Sequence, residues 1–169
     1  MTVAPLVPIE DLPPLLSRES RLLGLDVGTK TIGMALSDVT RSVATPYHTV
    51  RRTKFTADAS LIQAAIEEHE VGAVVIGLPL NLDGSEGPRA QSTRAFARNL
   101  TARIAVPMLF WDERLSTAAV ERHLIDADAS RKRRAEVIDR LAAAYILQGA
   151  LDRLRRLSEI GRASCRERV

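Results

Sequence analysis

Between Arg21 and Val50 the chain holds three β-type runs joined by links of only a few residues, and that spacing constrains the fold more than any other feature. Arg21–Val27 is a short apolar run of the buried-strand kind. Thr31–Ser37 follows a turn bracketed by Gly28 and Gly33, and Ser42–Val50 is loosely alternating and rich in β-formers. Such links leave no room for a crossover helix, so the three strands are predicted to form an antiparallel meander.

From residue 57 onward the period changes. Ala57–Glu70 carries Leu61, Ile62, Ala65 and Ile66 at helical spacing, and Gly72 is expected to stop that helix. Ala73–Ile76 reads as a buried strand, Gly87–Ile104 as a helix with Phe96 and Leu100 on one face, and Pro107–Trp111 as another buried strand. Ser116–Ile125 is expected to be a short helix with Ser116 as its N-cap. A long helix is expected from Arg131 to about Leu157, its inner stripe traced by Val137, Leu141, Ala144, Tyr145, Gln148 and Leu151. The order β-β-β-α-β-α-β-α-α predicts an α/β fold: a mixed five-stranded sheet, meander first and β-α-β crossovers after, flanked by helices on both faces.

Residues 1–20 contain Pro5, Pro8, Pro13 and Pro14 and are expected to form a loosely ordered extension. Residues 158–169 are expected to be a disordered basic tail, which leaves one folded domain over 21–157. An apolar content of 46% is enough for a real core, and no apolar run is long enough to span a membrane. The N-terminus lacks a secretory pattern. The lone Cys165 excludes an internal disulfide framework and a cysteine-built zinc site. A reducing, cytoplasmic location is the expectation that follows. Net charge says little about partners. Residues 151–169 hold six of the 24 basic and three of the 21 acidic residues, and the remainder balances at 18 each. An aromatic content of 4% argues against a base-stacking platform.

Three places put carboxylates where elements end or pack closely. Asp26 closes the otherwise apolar Leu22-Leu23-Gly24-Leu25 run, where a charge must be paired, hydrated or metal-bound. Asp112 and Glu113 follow Trp111, and can point to opposite sides so that one enters a site while the other pairs locally, with Arg114 able to neutralise either. Asp139 precedes Leu141-Ala142-Ala143-Ala144, small residues that let a helix lie close to a sheet. Taken singly, each could be a turn cap, a loop salt bridge or a solvated surface acid. Taken together, with no paired Cys and no clustered His, they favour Mg²⁺ or Mn²⁺, and two such ions could serve phosphodiester hydrolysis. The three are expected to converge in one pocket.

Gly77-Leu-Pro-Leu-Asn-Leu-Asp-Gly-Ser-Glu-Gly reads as a stiff, substrate-facing loop in which Asn81 and Ser85 are polar donors. Arg51-Arg52-Thr53-Lys54 and Arg131-Lys132-Arg133-Arg134 are the basic clusters, and the second opens a helix, where the dipole disfavours cations. Lys30, Asn81, Ser85, Arg114, Arg131 and Arg134 are therefore the candidates for contacting substrate. His48, His69 and His123 are isolated and receive no role.

Residues 23–38 (Leu-Gly-Leu-Asp-Val-Gly-Thr-Lys-Thr-Ile-Gly-Met-Ala-Leu-Ser-Asp), 77–87, 112–117 (Asp-Glu-Arg-Leu-Ser-Thr) and 138–148 (Ile-Asp-Arg-Leu-Ala-Ala-Ala-Tyr-Ile-Leu-Gln) together closely resemble the YqgF/RuvX family, in the family's order. The resemblance implies a ribonuclease-H-like fold and a metal-dependent nuclease that matures the 5′ end of the small-subunit ribosomal RNA precursor. It also implies that Asp26, Glu113 and Asp139 are the catalytic, metal-binding acids, with Glu113 preferred to Asp112. Thr31 stands where the family often has arginine. The partner expected is nucleic acid, RNA favoured over DNA, with no membrane and a homodimer as an open alternative. Competing functions are a Holliday junction resolvase, an ATPase of the actin-like kind suggested by Asp26-Val-Gly-Thr-Lys, and a non-catalytic partner of the transcription or translation machinery.

Overall fold

The computed structural model describes residues 4–115 and 131–166, with Leu115 and residues 131–137 described by backbone alone. The expected helix over 116–125 lies outside the described residues. Five strands form one sheet: β1 (Arg21–Val27), β2 (Thr31–Ser37), β3 (Ala44–Arg51), β4 (Val71–Leu78) and β5 (Met108–Asp112), in the order β3-β2-β1-β4-β5. β1, β2 and β3 pair antiparallel, while β4 joins β1 and β5 joins β4 in parallel. This is the predicted meander followed by crossovers. β1 lies at the centre and is buried on both faces, which is why its sequence is a continuous apolar run rather than an alternating one. β3 is an edge strand and mostly exposed.

The helices are α1 (Phe55–Glu68), α2 (Pro88–Thr101) and α3 (Arg131–Arg166). Helices α1 and α2 cover one face, where Leu23, Leu25, Ile32, Met34, Val74 and Ile76 meet Ile62, Phe96 and Leu100. The opposite face carries α3, whose Ala143, Ile146, Leu147, Ala150 and Leu151 pack on Leu22, Ala35, Ala73, Val75 and Leu109. Burying Ile146, Leu147 and Leu151 contributes about 1.5–3 kcal/mol each. No helix among the described residues is long and apolar enough to cross a membrane.

Helix α3 approaches the sheet closely because small residues line its path. A Cβ on Gly24 would lie 2.8 Å from the Leu147 Cβ, and one on Gly33 would overlap the Asp139 carbonyl oxygen. Contacts that short do not occur between real side chains, so glycine at 24 and 33 sets the helix–sheet distance.

The structure departs from the sequence-based expectation at both ends. Residues 4–20, expected to be a loose arm, lie against the domain. Leu12 is fully buried beneath α3, and Leu6 bridges to Met108 on the outer edge of β5. The Val7 N–H donates to the Met108 carbonyl, and the Met108 N–H donates to the Pro5 carbonyl, both at 2.9 Å. Pro13 and Pro14 open the short 3₁₀ turn Pro13–Leu15, and Pro8 caps the turn Ile9–Asp11, places that suit a fixed φ and a missing N–H. At the other end, α3 continues to Arg166 rather than stopping near Leu157. Helix α1 also stops by a different device. Glu70 takes the left-handed conformation (φ 52°), while Gly72 makes room for the Ser20 and Leu16 side chains of the arm.

Candidate active site

Side-chain alternation puts two acids on the α3 face. Leu22 and Gly24 face α3, so Asp26, two residues on, does too. Leu109 and Trp111 face α3, and Glu113, in the 3₁₀ turn after β5, meets Ile146 of that helix over Gly77. The Glu113 carboxylate lies directly over Gly77, where a Cβ would overlap its Oε1. The β1–β4 ladder pairs Leu25 with Ile76, the residues just before Asp26 and Gly77. Asp139 enters from α3 one turn before Ala143, its backbone passing over Gly33, the register partner of Asp26. Asp26 thus sits between Glu113 on the β4–β5 side and Asp139 on the β2 side.

The electrostatics agree with that placement. Burial, followed by the Asp139 charge, raises the Asp26 carboxyl from 3.8 to about 6, with Arg89 partly offsetting the rise. Glu113 is pushed from 4.5 to about 7, first by burial and then by Asp26, again opposed by Arg89. Thr31 ties down the third acid, its Oγ1 donating to Asp139 Oδ2 at 2.5 Å. The position where arginine is frequent in the resembled family here carries a hydroxyl that orients a carboxylate.

Asp112 behaves as the locally paired neighbour. The Arg114 guanidinium grips it, with Nε and Nη2 donating to Oδ2 at 2.8 and 2.6 Å, and holds its carboxyl below the ordinary range. Arg114, expected to contact substrate, is therefore committed to Asp112, and its Nη1 also packs on the Gly84 turn. Asn81 and Ser85 are exposed but close their own loop. The Asn81 Nδ2 donates to Ser85 Oγ at 2.9 Å, and Ser85 Oγ donates to Asp83 Oδ1 at 2.6 Å. Lys30 is exposed in the β1–β2 turn. Arg131 and Arg134 open α3, and their side chains lie outside the description.

The sequence reasoning missed Arg89. It occupies the first turn of α2, exposed, with its charge acting on both Asp26 and Glu113. The signal was present: a cation opening a helix opposes the dipole there just as Arg131 and Arg134 do at α3.

The donor set suits a hard divalent cation. The oxygens are carboxylate, and two of the carboxyls hold protons unusually well because burial and neighbouring negative charge leave them under-compensated. The three acids do not converge as one ligand cluster, however. Among the described residues no group of three His, Cys, Asp or Glu side chains stands close enough to grip a single ion. They form two coupled pairs sharing Asp26. This still fits Mg²⁺, which is commonly held by one or two carboxylates and completes its shell with water and substrate oxygens.

A mixed sheet in the order 3-2-1-4-5, with acids gathered on the face of its last helix, defines a ribonuclease-H-like domain. The sequence profile of the family described as RuvX, Holliday junction resolvase, matches residues 20–153. A Methylocella silvestris protein is 58% identical over 154 residues, covering 91% of this chain and 96% of that relative. One from Paramagnetospirillum magneticum is 60% identical over 148 residues, covering 88% and 96%. Both are named for a pre-16S rRNA nuclease activity. Among solved structures, the yeast mitochondrial Holliday junction resolvase matches with a TM-score of 0.55 at 13% identity, over 95% of this chain and 88% of that one. Thermus thermophilus RuvC in complex with a Holliday junction matches with a TM-score of 0.50 at 15% identity, over 80% and 96%. The chain belongs to the RuvX family, a family of nucleases that hydrolyse phosphodiester bonds.

Proposed function

We propose that this chain is a Mg²⁺- or Mn²⁺-dependent endonuclease that matures the 5′ end of the pre-16S ribosomal RNA. The observation that carries the chemistry is the shared position of Asp26, coupled to Glu113 on one side and to Asp139 on the other. A carboxylate between two others is suited to hold cations on both sides, so Asp26, Glu113 and Asp139 are the residues that would hold the metal. Bound there, divalent ions supply charge stabilisation and an activated water to an in-line displacement. The chain's own residues set the conditions: Thr31 orients Asp139, Gly77 leaves space for the Glu113 carboxylate, and burial keeps water from screening the acids. The RNA assignment is supported by the relatives named for pre-16S rRNA nuclease activity, which exceed half identity over almost their whole length.

Asp26→Asn tests the reading. The variant should fold, bind nucleic acid and lose Mg²⁺-dependent cleavage of a precursor RNA spanning the mature 5′ end. Cleavage at the wild-type rate would place the active site elsewhere. A second reading, cleavage of branched DNA, is supported by the family's description and by the fold shared with junction resolvases. It calls for a homodimer presenting two sites to one junction. Cleavage of precursor RNA and of a four-way DNA junction, measured side by side with the oligomeric state, separates the two readings.

A further inference from the structure

The loop between β4 and α2 is anchored to the acidic end of the sheet and built stiff in the middle. At its start, Gly77 lies under the Glu113 carboxylate. At its turn, Gly84 has φ 87°, and the Arg114 Nη1 stands 3.3 Å from where a Cβ would be, while Nη2 of the same guanidinium donates to Asp112 Oδ2 at 2.6 Å. At its end, the Asn81 carboxamide fills the space beside Gly87, with Oδ1 3.3 Å from the Cβ position. The Asn81 N–H donates to the Ser85 carbonyl at 2.9 Å and the Gly84 N–H to the Asn81 carbonyl at 2.8 Å, beside the side-chain bonds joining Asn81, Ser85 and Asp83. Leu82, at the tip, is left 95% exposed, against 36–62% for the other exposed large hydrophobics among the described residues. A slack loop could fold such a side chain onto the domain, whereas this one is held out in water by its own hydrogen bonds.

The surroundings of Leu82 select its partner. Asn81, Asp83, Ser85 and Glu86 are exposed and polar, so the apolar area on offer is that of one side chain, far short of the roughly 800 Å² per partner of a stable protein interface. A single leucine is instead the size of wedge that proteins insert between stacked bases, and it needs no aromatic platform. The repulsion a phosphate strand would meet here is reduced, since Arg94 donates to Glu86 at 2.7 Å and Arg114 stands beside the Gly84 turn. Leu82 is five residues beyond Gly77 and so within about 18 Å of the place where Glu113 stands over the strand, the rise of about five stacked bases. We propose that Leu82 is a wedge that enters the base stack of the substrate strand a few nucleotides from the scissile phosphate, opening the stack so that the strand bends toward the acids. This rests on the nuclease reading and deepens it. Sites whose bases unstack easily are then preferred, a selectivity that requires no hydrogen bond to a base edge.

The test uses Leu82→Ala and Leu82→Met, each in the wild-type chain and in the cleavage-dead Asp26→Asn background. Because the side chain stands in water, both variants should melt with the wild type. The probes are a precursor RNA oligonucleotide spanning the mature 5′ end and a four-way DNA junction, each carrying a single 2-aminopurine whose fluorescence rises when the base unstacks. In the dead background, the chain with Leu82 should brighten one position of the preferred probe, Leu82→Met should keep that brightening, and Leu82→Ala should lose it. In the active chain, Leu82→Ala should slow cleavage of the stacked probe roughly ten- to a hundredfold, the size of an unstacking penalty no longer offset. A probe with an abasic site at the brightened position should be cut by Leu82→Ala near the wild-type rate. The proposal is overturned if Leu82→Ala leaves both the brightening and the cleavage of the stacked probe unchanged, or if it slows the stacked and abasic probes equally. Should the wild-type chain bind a probe without cutting it, the nuclease reading fails while the fluorescence still decides Leu82. Should it bind neither probe, both fail.

Discussion

The two faces of the sheet are built on different principles. The face under α1 and α2 is filled with large side chains, and Leu23, Leu25, Ile32, Met34, Ile76 and Leu100 are almost completely sealed from solvent. The face under α3 mixes large residues, Leu22, Val75 and Leu109, with small ones, Gly24, Gly33, Ala35, Ala73 and Gly77, and carries Asp26 among them. Large residues give cohesion through apolar area. Small ones let a helix backbone come close enough to hold an acid at a fixed place over the strands. One face supplies stability, and the other gives some of it up to crowd negative charge together.

That contrast can be broken at several points. The largest effect expected is the loss of cleavage on removing an acid. Asp26→Asn should lower Mg²⁺-dependent turnover on the order of a thousandfold or more while circular dichroism shows an unchanged fold. On the other face, Leu100→Ala should destabilise by about 2–5 kcal/mol in a denaturant titration, yet leave cleavage per folded molecule near wild type. Equal losses of turnover in the two variants would erase the distinction.

The acids should also declare themselves in the pH dependence of stability. Folding raises Asp26 from 3.8 to about 6 and Glu113 from 4.5 to about 7, so between about pH 4 and 7 the native state binds more protons than the unfolded one. Stability of the metal-free protein should therefore fall as pH rises through that window and level off above it. The loss should be on the order of 1–3 kcal/mol, read as a drop of several degrees in melting temperature measured in a chelator. Mg²⁺ should reverse much of it, and Asp26→Asn should flatten it. An identical pH profile for wild type and Asp26→Asn would show that the acids are not coupled. Cleavage, which needs the ionised acids, should rise over the same range, and higher Mg²⁺ should move that rise to lower pH.

Glycine substitutions give a sharper comparison within α3's own surroundings. Gly33→Ala forces a Cβ into the Asp139 backbone and should cost about 1–3 kcal/mol by thermal melting, together with activity, because it displaces the helix that carries the acid. Gly161→Ala, in the same helix but with nothing within 4 Å, should instead add up to about 1 kcal/mol by the same measurement.

Much of this was legible in the sequence. The order and type of elements followed from the period changes, since β1 and β4 announce themselves as unbroken apolar runs and α1 and α2 by their spaced leucines, isoleucines and phenylalanine. Asp26 stood out because a charge in such a run demands a reason. The opposed roles of Asp112 and Glu113 followed from adjacency at a strand end. What stayed hidden is long-range. Four prolines in residues 1–20 say only that regular helix and strand are disfavoured, not that Leu12 has a slot beneath α3. Nor does the pattern of single residues reveal that Asn81 and Ser85 would satisfy each other, or that the three acids would couple through Asp26 as pairs rather than close on one point. Arg89 could have been found by asking of α2 the question asked of α3.

The short bridge between Leu6 and Met108 has a consequence for the behaviour of the molecule in crowded solution. An open sheet has two rims, each a row of unsatisfied donors and acceptors ready to template another chain. On the β3 rim, Pro46 removes a donor and the pairing slips beside it. The Met108 end of the β5 rim is closed by residues 5–7, so trimming the N-terminal stretch would uncover that end and invite copies to pair edge to edge into aggregates while the acids stayed in place.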